Sequence, residues 1–142
     1  MMSANEIRGE QAILLDGITH VMRPSWAALQ AIEDATGMSI VELGARAEMG
    51  RLRGLQIAVV VTECIKADLR HHGKSREADA WDVNVVAAKL MEADGGLVAA
   101  IKQLPPFLRD AVTGRYTAKG EAKAAVGDPA GESPTTGTPA AA

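Results

Sequence analysis

The sequence predicts an α+β fold, mostly α, in which one N-terminal β-hairpin packs on a small bundle of about five helices. Three observations lead there. Asp16-Gly17 stands between two short apolar runs, the strongest short-range signal for a two-residue hairpin turn. Over residues 25–112 apolar residues recur at helical spacing, punctuated by Ser, Asp and Gly at positions that start and stop helices. From Gly114 to Ala142, 21 of 29 residues are Ala, Gly, Pro, Ser or Thr, too little apolar surface to offset chain entropy, so this stretch reads as a disordered tail. The expected organisation is one folded domain over residues 1–113, with its hairpin at 8–23 and its helices at about 25–112, and a tail over 114–142. A chain of 142 residues suits one core of that size rather than two.

A two-residue turn at Asp16-Gly17 fixes the hairpin register. Leu15 then pairs with Ile18, Ile13 with His20 and Gln11 with Met22 on a mostly apolar face. The other face pairs Leu14 with Thr19, Ala12 with Val21 and Glu10 with Arg23, the last an opposite-charge pair that supports the register. An isolated hairpin is marginal in water, so it must lie on other elements.

Pro24 ends the second strand, and Ser25 is placed to cap a helix from Trp26 to about Thr36, stopped by Gly37. Trp26, Leu29 and Ile32 form its apolar stripe. Ser39 with Glu42 three residues on has the capping-box pattern for a second helix to about Met49. A third runs from about Leu52 to His72 and is apolar around most of its circumference: Leu55, Val59, Thr62, Ile65 and Leu69 make one stripe, and Ile57, Val60, Val61 and Cys64 cover other faces. A helix of that kind is the central one. Asp82 caps a fourth helix carrying Val83, Val86, Ala87 and Leu90, stopped by Gly95-Gly96. Leu97 to Leu104 is a fifth segment, broken by Pro105-Pro106, with a last turn over Phe107 to Val112.

Net charge is −3, with 15 basic and 18 acidic residues, which argues against a general nucleic-acid coat. No apolar run reaches the roughly 18 residues of a membrane span, and no signal-peptide pattern opens the chain. A single cysteine, Cys64, excludes an internal disulfide framework. A cytoplasmic protein is expected.

No catalytic, cofactor or metal site emerges. Gly73-Lys74-Ser75 resembles the end of a P-loop, but position 68 is Asp where that motif needs Gly. Cys64, Asp68 and His71 share a helix face, yet one helix rarely completes a tetrahedral shell; a buried cysteine beside a polar helix end accounts for them. Glu33-Asp34 are neighbours that do not face each other on a helix. Two basic clusters, Arg46, Arg51 and Arg53, and Arg70, Lys74 and Arg76, lack interleaved aromatics and lie near Glu48, Asp68 and Glu77, which favours solvated charge over phosphate binding.

The hairpin is the more informative surface. Either the helices cover it, which is the favoured reading, or its edges serve strand addition by a partner or self-association; Arg8, Glu10 and Arg23 guard its open end, whereas the turn end is apolar. Candidate partner-binding residues are therefore Arg8 and Arg23 on the hairpin, and Trp26 and Leu29 on the first helix, although core packing explains the last two equally well.

Asn5-Glu6-Ile7-Arg8-Gly9-Glu10, Leu15-Asp16-Gly17, Met22-Arg23-Pro24-Ser25-Trp26-Ala27-Ala28-Leu29 and Ala31-Ile32-Glu33, with Gly37 and Ile40-Val41-Glu42-Leu43, together resemble the gene-transfer-agent-type tail assembly chaperone family of small siphophage tail proteins, sometimes labelled tail tube. The resemblance covers about Asn5 to Arg53 and rests on order and spacing, since none of these motifs is catalytic. It implies a non-enzymatic chaperone that binds the tape-measure protein, with other tail proteins as further partners, and that is absent from mature particles. The alternatives are a structural tube or completion component and, outside this family, a small nucleic-acid-binding regulator of a mobile element.

Overall fold

A computed structural model describes residues 11–123. Two antiparallel strands, β1 (Gln11–Leu15) and β2 (Ile18–Met22), are followed by α1 (Trp26–Thr36), α2 (Ile40–Glu48), α3 (Gly54–His71), α4 (Ser75–Asp79), α5 (Val83–Glu92) and α6 (Gly96–Val112). The predicted α+β, mostly α architecture is observed, with six helices among the described residues where about five were expected.

The hairpin register is the predicted one from Leu15↔Ile18 through Gln11↔Met22. Asp16 and Gly17 both have positive φ, 55° and 76°, as a type I′ turn requires. The expected Glu10–Arg23 pair lies outside the described residues. One ribbon face, with Ile13, Leu15 and Met22, is sealed into the core. Each such aliphatic side chain contributes roughly 1.5–3 kcal/mol by leaving water, and this is what holds an otherwise marginal ribbon in place.

The Ser25 side chain accepts a hydrogen bond from Ala28 N at the start of α1, and Gly37 closes the helix in the left-handed conformation. Ser39 likewise caps α2 by accepting from Glu42 N. The second half of the expected capping box goes elsewhere: the Glu42 carboxylate accepts from Arg46 at 3.2 Å. Ile40 N instead donates to Glu33 Oε2 at 2.9 Å, so a carboxylate of α1 caps the next helix. Asp82 caps α5 through Asn84 N.

α3 is the core of the bundle. Gln56 through Thr62, Cys64, Ile65 and Asp68 are all buried, and α1, α4, α5 and β2 pack around the helix. Leu55, assigned to its stripe, is exposed instead, because the first turn of α3 is buried through Gln56 and Ile57 on another side of the helix. Trp26 is similarly displaced from the α1 stripe. It is 60% exposed, and Ala28 and Ile32 are the residues of α1 that are buried.

Two further expectations fail. Pro105-Pro106 does not break the fifth segment, because α6 runs through both prolines. Prolines inside a helix remove backbone donors and cost about 3 kcal/mol or more each. Burial of Leu104, Phe107 and Leu108 on the same helix supplies a compensating gain of comparable size. The boundary of the tail also shifts. Residues 114–123 form a small return in which Tyr116 bridges to Ala122, Lys123 N donates to Arg115 O, and Ala118 O accepts from Trp26 N at 2.8 Å. Tyr116 lies 6.4 Å from the Phe107 ring. Composition misses this strap because its order comes from contacts with other elements, not from a core of its own. The remainder of the expected tail, residues 124–142, lies outside the described residues.

Candidate partner-binding surfaces

The hairpin has two unlike ends. At the open end β2 leads into Arg23, whose backbone N–H donates to Cys64 O at 2.9 Å. Its guanidinium Nε donates to Asp68 Oδ1 at 3.2 Å with both side chains buried. Burying two charges is tolerable only when they are paired and hydrogen-bonded. His72 also reaches Asp68, its Nδ1 lying 2.9 Å from the Asp68 carbonyl oxygen and 3.6 Å from Oδ2. The strap covers this pair. A Cβ on Gly120 would come within 2.4 Å of Arg23 Cγ and 2.8 Å of Ser25 N, so only glycine fits there. Arg23, proposed from sequence as a partner-binding residue, is therefore an internal fastening between β2 and α3. A lone sequence cannot show that its partner is a carboxylate 45 residues away.

The turn end is bare. Leu14 is 59% exposed and Ile18 is also exposed. Beside them a cleft of about 480 Å³ runs between β1 and the elbow joining α5 to α6, lined by Ile13, Leu14, Leu90, Ala93, Ala99 and Ala100. Its rim carries Asp16, Lys89, Glu92 and Asp94, and Lys89 is 3.7 Å from Asp16. The sequence does not reveal this cleft, since the elbow falls at Gly95-Gly96, a pair that reads locally as a helix stop.

His20 was expected to pack on the apolar face opposite Ile13. It sits half-buried with its ring 4.9 Å from Trp81, edge to face. Burial, and secondarily the positive charge of Lys89, lower its pKa from the ordinary value of 6.5. Among the other sequence candidates, Trp26 stands out into solvent, Leu29 packs half-buried against the core, and Arg8 lies outside the described residues.

The residues considered for chemistry do not form a centre. Cys64 is buried, and burial pushes its thiol well above the usual range, the reverse of what an activated nucleophile or a metal thiolate needs. Asp68 serves Arg23, and His71 lies 3.9 Å from Glu121 of the strap. Among the described residues no group of three or more His, Cys, Asp or Glu side chains is placed to hold a metal ion. Of the basic clusters, Arg46 pairs with Glu42 and Arg70 with Asp79. No described helix is long and apolar enough to cross a membrane. What the exposed surface does present is large apolar side chains on several elements: Leu14, Trp26, Val41, Met49, Leu55, Met91 and Val98.

No curated protein and no solved structure matches the chain. A family model described as phage tail tube protein, GTA-gp10, matches residues 8–114, which span the hairpin, all six helices and the start of the strap; the chain belongs to this family of phage tail proteins.

Proposed function

We propose that this tail-family protein acts without catalysis as an assembly chaperone, binding the tape-measure protein in the cytoplasm of the producing cell and leaving before the particle is complete. The observation that carries the reading is the distribution of apolar surface. Large exposed side chains lie on both the hairpin and the helices, whereas the described residues contain a single two-stranded sheet. Scattered apolar contacts on helices suit reversible binding of amphipathic helices. A tube wall would require a more extensive sheet that closes on its neighbours.

A second reading, a structural subunit of the tail tube, is favoured by the description of the family itself. Quantitative mass spectrometry of purified particles against the producing-cell lysate separates the two. A chaperone is abundant in lysate and missing from particles. A tube subunit is present in particles at high copy number, and that result would overturn the chaperone reading. Co-expression with the tape-measure protein adds a direct check: failure of the two to co-purify or to alter each other's solubility rejects the partner.

A further inference from the structure

In a type I′ hairpin the residues flanking the turn exchange hydrogen bonds with each other, and pairs alternate from there. Gln11, Ile13 and Leu15 therefore direct their backbone groups toward β2, and Ala12 and Leu14 direct theirs away. The Ala12 carbonyl accepts from the side chain of Gln11 at 3.2 Å. Among the described residues, no backbone group pairs with the Ala12 N–H or with the N–H and C=O of Leu14.

Natural edge strands are protected by lysine, proline or a bulge, and β1, with the sequence QAILL, has none of these. Leu14, on this open edge, lines the cleft, whose far wall is the α5–α6 elbow. A cleft of about 480 Å³ suits a single extended segment rather than a whole folded copy of the chain. The rim holds three carboxylates, Asp16, Glu92 and Asp94, against one ammonium, Lys89, and so favours positive charge on whatever enters.

We propose that the cleft binds an extended segment of a partner protein, apolar in its middle and basic at its end, which adds to β1 as a third strand. Backbone hydrogen bonds to Ala12 and Leu14 supply the attachment. The apolar lining receives alternate side chains, and Glu92 and Asp94 meet the basic end. This deepens the reading of the chain as a protein that binds tail partners. If it fails, that reading still stands, because partners can be bound on the exposed helical faces instead.

The test uses the full chain and two synthetic peptides of alternating valine and threonine, one ending in two lysines and one in two glutamates. The lysine peptide is expected to bind saturably, to shift the backbone amide resonances of Ala12 and Leu14, and to weaken with added salt. The glutamate peptide should bind at least about tenfold more weakly. N-methylation of alternate peptide amides gives two isomers, and only the one methylated on the outer edge should bind. On the protein side, Leu14→Pro removes an N–H that donates to nothing among the described residues, so the hairpin survives at an edge position and binding is lost. Leu14→Arg serves as the second variant, with circular dichroism showing that each stays folded. Equal binding of both N-methyl isomers, unchanged amides at Ala12 and Leu14, or full binding by folded Leu14→Pro would each overturn the proposal. So would self-association of the free chain that protects those same amides, since the edge would then belong to a second copy.

Discussion

The two ends of one hairpin are treated in opposite ways. At the open end a charged residue, Arg23, is buried and tied to Asp68 under a strap that contributes Gly120. At the turn end two aliphatic residues, Leu14 and Ile18, stand in water. Polarity alone would assign the reverse. The difference teaches that burial follows which neighbours arrive: α3 and the strap close over one end, and the α5–α6 elbow stops short of the other, leaving a cleft.

The comparison breaks most decisively at Asp68. Replacing it by alanine takes one carboxylate away from the buried guanidinium of Arg23, and truncating one member of a buried pair costs up to about 3–5 kcal/mol. Urea denaturation of Asp68→Ala measures this, and a cost under about 1 kcal/mol would mean that the pair does not anchor the hairpin.

Adjacent leucines sharpen the contrast next. Leu15 is 1% exposed and Leu14 is 59% exposed. Leu15→Ala is expected to destabilise by about 2–5 kcal/mol, and Leu14→Ala by less than about 0.5 kcal/mol. Equal losses would show that the turn end is covered in solution.

The strap should respond more moderately. Gly120→Ala puts a methyl group into Arg23 and the Ser25 backbone, at a φ of 81° that also disfavours a side chain. A loss of about 1–3 kcal/mol is expected, accompanied by faster hydrogen exchange at the amide of Trp26, which donates to Ala118. Unchanged exchange would mean that the strap does not hold this end.

The smallest effect is a pH dependence from His20. Its pKa is lowered in the folded state, so the unfolded chain binds a proton first as pH falls. The contribution of His20 is fully present above the unfolded value of 6.5 and is lost as pH drops through that value toward the folded pKa. His20→Gln should flatten the part of the urea-midpoint profile that lies just below that pH. An unaltered profile would assign the slope to other groups.

Much of the fold was legible because it is written in local chemistry. Asp16-Gly17 specifies a turn by its φ values, and the turn specifies every pair of the ribbon. Ser25, Ser39 and Asp82 cap helices through hydrogen bonds that span two or three residues. The all-round apolar pattern of α3 announced the central helix. The errors share a different cause. Glu33 capping α2, α6 continuing through Pro105-Pro106, and residues 114–123 folding back onto α1 each depend on a neighbour distant along the chain or on burial that offsets a local penalty. The short α4 was missed because five residues hold only one buried side chain, Ala78, too few to display a period. Of the candidate surface, the apolar turn end was foreseen, whereas the cleft beside it was not, since its two walls lie some 75 residues apart in sequence.

The sequence by itself determined the element types, the hairpin register, the caps and the identity of the central helix, because hydrogen bonds across a few residues and the periodic placement of apolar side chains decide them. The tertiary structure alone decided which residues those elements leave in water. It buried Arg23, exposed Trp26 and Leu14, and opened a cleft along β1, because solvent exposure is a property of what packs against a residue and is not carried by the residue itself.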